Sequence, residues 1–359
     1  MKHPHSKPFL PDLETYQARI AEIWASGWLT NHGPELRSFE KALSQFLDVE
    51  HLCFVSSGTM GLQCMLRELP RGGEIITTPY SYVATSGALF WEGFRPRFVD
   101  IDPRRLCPRA DDIRRHIVPN TRAILLTHVY GIPAFPVEME ALAKEFGLPL
   151  LYDAAHCFGV KYRGKSLLTY GDMAVLSTHA TKIFHTANGG AVVTSGAEIR
   201  KRIEGYRNFG HDGPNEFKGP GINGKNSELH AALGLAILAE AEQLLEKRRE
   251  QWHRYRELLS QIGDEHFLEI PADTEHNGAY FPLLHLDRKG ADRLEQNARE
   301  DGIELRRYFQ PALNRIDYLQ GEPCPVAEAI AETVLCLPLY HTLSAADQEW
   351  IAEKVLSYL

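Results

Sequence analysis

From Ala123 to Asp153 the chain reads AILLTHVYGIPAFPVEMEALAKEFGLPLLYD. Ala123–His128 is a short apolar run, the signature of a strand buried on both faces. Pro136–Phe146 carries its apolar residues at helical spacing. Leu148–Asp153 is a second apolar run, and it ends on an acid. Strand, helix and strand in succession predict a parallel pair, since parallel neighbours need a crossover between them.

The same alternation extends outward. Residues 1–12 are polar and bear Pro and His, and read as an arm. Leu13–Trp28 and Glu35–Phe46 have helical spacing. His51–Val55, Glu74–Thr78 and Arg97–Val99 read as strands, followed by helices at Thr59–Leu69, Ala84–Trp91 and Asp111–Val118. Met173–Ser177 and Ala191–Thr194 are further strands. The fold class is therefore α/β with a largely parallel sheet. Such sheets bind ligands beyond the carboxyl ends of their strands, which singles out Ser56, Ser57, Tyr80, Asp153 and Ser177. Arg207–Lys225, RNFGHDGPNEFKGPGINGK, reads as a long functional loop. Ser227–Arg249 reads as one long helix. Beyond it the pattern changes to two or three helices and a few strands, such as Ala279–Leu286. A boundary in that helix gives a large domain over 1–245 and a smaller one over 246–359.

The 359 residues carry 39 Lys and Arg against 47 Asp and Glu, a net charge of −8. That balance offers no basic footprint for nucleic acid. No run approaches the ~18 apolar residues of a membrane span, and MKHPHSKPFLPDLE has no secretory core, so a cytoplasmic protein is expected. The cysteines, Cys53, Cys64, Cys107, Cys157, Cys324 and Cys336, form no C-x-x-C pair and read as buried reduced thiols.

Three places could carry chemistry. Val55-Ser56-Ser57-Gly58-Thr59 ends a strand and opens a helix, so it is either an anion site, most plausibly for phosphate, or a plain helix cap. Asp153 could cap, ligate a metal or hold a proton on a heterocyclic nitrogen. Lys182 lies between a buried strand and Gly189-Gly190, where it is either a desolvated nucleophile or a lysine snorkelling to solvent. His179 and His185 flank it without standard zinc spacing, and no metal is expected. A phosphate site, an acid at a strand end, a serine and a lysine, in that order, are the parts of a pyridoxal phosphate (PLP) site.

Nearly the whole chain, from about Trp24, resembles the DegT/DnrJ/EryC1/StrS family of PLP-dependent nucleotide-sugar aminotransferases. The motifs, in family order, are GWLTNHGPELRSFEKAL, FVSSGTMGL, TTPYSYVATSGAL, PRFVDID, HVYGIP, YDAAHCFGV, GDMAVLSTHATKIFHTANGGAVVT, RNFG, GINGKNSELHAALG, RRYFQP and LPLYHTLS. The resemblance implies the aspartate-aminotransferase-like fold (fold type I), with a mixed, mostly parallel sheet and a smaller C-terminal α+β domain. It implies that Lys182 bonds the cofactor aldehyde, Asp153 pairs with the ring nitrogen and His156 lies near the phenolic oxygen. Tyr82 matches the stacking aromatic. Ser57, Gly58, Thr59 and Ser177 match the phosphate site. Asn223 matches an asparagine that reaches the neighbouring subunit's phosphate, which implies a homodimer with shared sites.

The implied reaction moves an amine from L-glutamate to a nucleotide-linked keto sugar. YDAAHxFG, HATK-x-F and GINGK resemble the branch that aminates dTDP-4-keto-6-deoxyglucose at C4. GDP-perosamine formation, UDP-sugar 4-amination and sugar 3-amination are the neighbouring alternatives. Sugar dehydratases of the family carry histidine at the lysine position, so Lys182 favours amine transfer. Thr30, Asn31, His185, the 208–222 loop and Tyr308 are the expected substrate contacts. The chain departs from the family pattern at Thr178, at Ala187-Asn188 and at Asn226.

Overall fold

The structure is a computed structural model that describes residues 2–359. Asp12 caps the first helix, Leu13–Ser26 (α1), by accepting the Thr15 N–H at 2.9 Å. Pro34–Leu47 (α2) follows. Strands and helices then alternate: Leu52–Val55 (β1), Gly58–Leu66 (α3), Glu74–Thr77 (β2), Val83–Trp91 (α4), Arg95–Phe98 (β3), Ala110–His116 (α5), Thr121–Thr127 (β4), Pro136–Phe146 (α6) and Leu150–Asp153 (β5). A hairpin of Lys161–Tyr162 (β6) and Lys165–Ser166 (β7) precedes Met173–Ser177 (β8), Gly190–Thr194 (β9) and Ala197–Tyr206 (α7). Glu228–Leu238 (α8) and Ala241–Leu258 (α9) come next. The rest holds Thr274–Glu275 (β10), Pro282–Leu283 (β11), Arg288–Glu300 (α10), Pro325–Thr333 (α11), Leu335–Cys336 (β12) and Ala345–Tyr358 (α12).

The main sheet runs β1-β9-β8-β5-β4-β2-β3. Only β9 is antiparallel to its neighbours; every other pair is parallel. In β4 and β5, Ile124 stands beside Leu150 and Thr127 beside Asp153. The unbroken apolar runs follow from burial on both faces. Ile124, Leu126, Tyr152 and Leu176 pack beneath α2, α6 and α8, with Phe39, Leu43, Met139 and Ile237. Ala123, Leu125, Leu151 and Val175 face the other way, onto Leu62 and Met65 of α3 and Leu89 of α4. A separate cluster joins Trp252 and Tyr255 of α9 to Leu294 of α10 and Ile351 and Val355 of α12.

Two features differ from the sequence reading. The long helix over Ser227–Arg249 is two helices, because Glu240 leaves helical geometry at φ −110°, ψ 6° and its N–H bonds Ile237 O at 3.0 Å. The break lets α8 lie against α2 while α9 packs on α12. No glycine or proline marks it. The polar arm, in turn, is docked. The Lys2 and His3 N–H groups donate to Gly302 O, Glu304 N–H donates to His3 O, and Leu339 N–H donates to His5 O at 3.1 Å. His3 and His5 are buried.

All six cysteines are free and buried, and burial pushes the Cys64, Cys107, Cys324 and Cys336 thiols up to about 12. Among the described residues no helix is long and apolar enough to cross a membrane.

Candidate active site

β1, β8 and β5 end on the same side of the sheet, with antiparallel β9 between the first two. Just after β1, Ser57 is extended and its Oγ accepts the Met60 N–H at 3.1 Å, capping α3. Gly58 and Thr59 open that helix. A Cβ on Gly58 would sit 3.2 Å from the Ser177 Cβ, and one on Gly190 would sit 2.6 Å from the Gly58 nitrogen. The absence of side chains therefore lets the helix start, Ser177 and β9 approach closely. The positive end of α3 faces this cradle.

Asp153 ends β5 and is buried. One carboxylate oxygen accepts the Thr85 hydroxyl at 2.6 Å, and the other accepts the Ala155 N–H at 3.1 Å. Thr85 gives its only hydroxyl proton to Asp153. Ser81 must then donate to Thr85 (2.7 Å), and Thr127 to Ser81 (2.8 Å). Three side chains and one main-chain N–H thus fix the acid. Burial still pushes its pKa up, with Lys182 acting weakly the other way.

Lys182 lies in the loop from β8 to β9. That loop is tied to itself: Lys182 N–H donates to His179 O and Ala180 N–H to Ala187 O, both at 2.9 Å. The Thr178 and Thr186 hydroxyls meet at 2.8 Å. The Lys182 Nζ lies 3.4 Å from the Tyr280 hydroxyl. Burial lowers the lysine pKa, and Asp153 opposes that shift. A lysine so placed yields a free amine more readily than one in water.

The His156 Nδ1 accepts the Tyr130 N–H at 3.0 Å, which places the ring proton on Nε2. Burial holds the ring neutral, with its pKa well below the usual value. Tyr280 and Phe309 pack on it at centroid distances of 4.6 and 5.9 Å. Tyr82 is 60% exposed, an unusual setting for a large ring, and with Tyr308 it lines a cavity of about 680 Å³.

The other expected contacts are dispersed. Thr30 and Asn31 sit on the exposed turn between α1 and α2, where Asn31 has φ 65°. Asn223 is exposed, on a loop whose Gly224 carbonyl accepts the Ser56 N–H at 2.8 Å. The 208–222 loop lines a different cavity, of about 540 Å³, beside His32, Lys201 and Arg207. His185 does not fit its expected role. It is buried, its Nε2 bonds Phe9 O at 2.7 Å and its Nδ1 accepts the Ala187 N–H at 3.2 Å, so no ring nitrogen is left for a substrate.

The departures from the family pattern bond to one another. The Asn226 amide donates to Asn188 O at 2.9 Å, and the Asn188 amide donates to Ser56 O at 3.1 Å. Ser81, Thr85, Tyr130, Tyr280 and Phe309 were not singled out from sequence as site residues. The TTPYSYVATSGAL motif contains Ser81 and Thr85, but nothing local marks their hydroxyls as facing Asp153. No spacing links residue 280 to residue 182.

A family model, the DegT/DnrJ/EryC1/StrS aminotransferase family, matches residues 12–356. A protein of Shigella dysenteriae named dTDP-4-amino-4,6-dideoxy-D-glucose transaminase is 38% identical, covering 98% of this chain and 97% of that one. An Escherichia coli protein of the same name is 35% identical, over 95% and 94%. The crystal structure of DesI in the presence of its TDP-sugar product superposes with a TM-score of 0.91 at 30% identity, covering 98% of this chain and 92% of that one. Fold, lysine and comparisons together define an aminotransferase. More narrowly, the chain belongs to the DegT/DnrJ/EryC1/StrS family.

Proposed function

We propose that this aminotransferase binds pyridoxal 5′-phosphate and moves an amino group from L-glutamate to dTDP-4-keto-6-deoxy-D-glucose, giving dTDP-4-amino-4,6-dideoxy-D-glucose. The observation that carries the reaction type is the half-buried Lys182 side chain, its amine 3.4 Å from the Tyr280 hydroxyl and subject to the charge of Asp153. The product name of the Shigella and Escherichia relatives supports the sugar.

The residues present fit the cofactor. The cradle of Ser57, Gly58, Thr59 and Ser177 offers main-chain N–H groups, hydroxyls and a helix N-terminus to a phosphate. When bound, the cofactor supplies an aldehyde and a ring that accepts electrons. Asp153 would hold the proton on the ring nitrogen. Burial raises its pKa, and a protonated ring beside it would offset that cost to the carboxylate. His156, with its proton on Nε2, would donate to the phenolic oxygen. Tyr82 would cover the ring face. Lys182, displaced by the donor amine, would take the proton from the donor carbon and return it elsewhere.

We read the active unit as a homodimer. Thr30, Asn31, Asn223 and the 208–222 loop are exposed or line a cavity apart from Lys182, which suits residues that complete a partner's site. The exposed Trp24, Trp28 and Phe217 support a covered face there. Separate hydrophobic clusters support two domains, 1–245 and 246–359.

The test is a product assay. Purified protein, PLP, L-glutamate and dTDP-4-keto-6-deoxy-D-glucose should give 2-oxoglutarate and amino sugar in equal amounts. The GDP- and UDP-linked keto sugars should react more slowly. Amine transfer to one of those alone would move the substrate assignment. Glutamate consumption with none of them would remove it.

A further inference from the structure

Behind Lys182 lies a cavity of about 20 Å³, lined among others by His5, Tyr280, Tyr308, Arg248 and His341. That is space for one water, and a buried water needs two to four polar partners. His5 is 8% exposed, and its Nδ1 is buried with no hydrogen-bond partner. The Nδ1 of His341 is in the same condition. Two orphaned ring nitrogens around one water-sized polar cavity call for an explanation, because buried polar atoms are rarely left unpaired.

The chain fixes His5 from several sides. Its carbonyl accepts the Leu339 N–H and its own N–H donates to the Glu304 carboxylate, both at 3.1 Å. Its ring packs against Tyr308 at 5.3 Å and Tyr280 at 6.4 Å. Phe9, four residues on, packs edge-on against His341 at 4.8 Å. The N-terminal segment thus forms a wall of the lysine site.

We propose that His5 and His341 hold one water in this cavity and that the water positions the Lys182 amine. Each imidazole takes one hydrogen of the water through Nδ1. The water oxygen is then left as an acceptor, and it takes one N–H of Lys182. The Tyr280 hydroxyl, 3.4 Å from Nζ, occupies a second direction, so the lone pair of the amine is aimed away from both. The role requires neutral rings. Burial together with Arg248 and Arg306 brings the His5 pKa down to about 4, and burial also lowers that of His341. Both histidines are positioning residues. The inference rests on the reading of Lys182 as the reactive lysine.

Two experiments test it. A crystal structure of the cofactor-free protein, at a resolution that shows waters, should place one water within hydrogen-bond distance of His5 Nδ1 and Lys182 Nζ. In single-turnover reactions with glutamate, His5→Phe keeps the aromatic packing and removes Nδ1. It should react about fivefold to tenfold more slowly, the size of one lost hydrogen bond, with unchanged apparent glutamate affinity. His5→Asn, whose amide reaches the Nδ1 position, should recover most of the rate. A dry cavity, or a His5→Phe protein as fast as the parent, overturns the proposal. A parent protein that never binds PLP would instead refute the reading of Lys182.

Discussion

Burial costs the Asp153 carboxylate free energy, which the Thr85 and Ala155 hydrogen bonds and the Lys182 charge offset in part. The folded-state pKa of Asp153 is raised by burial above that of the unfolded chain. The native state therefore binds more protons than the unfolded one between those two values, and stability falls as pH rises through that window. Asp153→Asn cannot ionise. In the cofactor-free protein, the melting temperature of Asp153→Asn relative to the parent should climb as pH rises through the window, whatever constant offset the exchange of one acceptor oxygen for an amide nitrogen imposes. A gap that stays flat with pH would contradict the buried-carboxyl account. With cofactor and glutamate, the same variant should lose about 10²–10⁴-fold in half-reaction rate, the range for a proton-holding group. Asp153 and Lys182 were legible in sequence because strand-end acids and lysines between apolar runs are anomalous locally. Thr85 was not, since its partner Asp153 is 68 positions away, and Ser81 reaches the acid only through Thr85. His185 misled because proximity to Lys182 in sequence does not decide which way a ring faces.

At the scale of elements, α2 begins without a capping side chain of its own, since Gly33 precedes Pro34. The cap comes from α8. The buried carboxylate of Glu228 accepts the N–H groups of Gly33, Glu35 and Leu36 at 2.9, 2.8 and 3.3 Å. A carboxylate at a helix N-terminus is doubly suited, by hydrogen bonding and by the helix dipole. Glu228→Ala would leave those donors buried and unpaired, and should cost about 2 kcal/mol or more. Urea unfolding should show a lower midpoint with an unchanged slope. A midpoint equal to the parent's would mean that α2 is held by its apolar face alone. The strands were legible as apolar runs buried on both faces, and the helices by the periodic face each buries. The break at Glu240 was not, because the residues around it are all good helix formers and only packing on α2 and α12 separates the two helices. Two-residue strands such as β11 and β12 are set by pairing with each other, not by local pattern.

For the whole molecule, the prediction concerns shared sites. Lys182→Ala and Asn223→Asp chains should each be nearly inactive alone. If each site takes Lys182 from one chain and Asn223 from the other, subunit exchange creates heterodimers with one intact site. Half the dimers would be mixed, so activity should return to about a quarter of the parent's. No return after verified exchange would place the whole site within one chain. The sequence suggests this arrangement only through its family resemblance. Asn223 is exposed, as a residue that reaches a partner must be.

The most direct measurement is the visible absorbance of the purified protein with PLP, before and after L-glutamate and then dTDP-4-keto-6-deoxy-D-glucose. The account predicts a yellow band that fades with glutamate, returns with the keto sugar and is absent in Lys182→Ala. A band that forms equally in Lys182→Ala, or a parent protein that stays colourless with PLP, would contradict it.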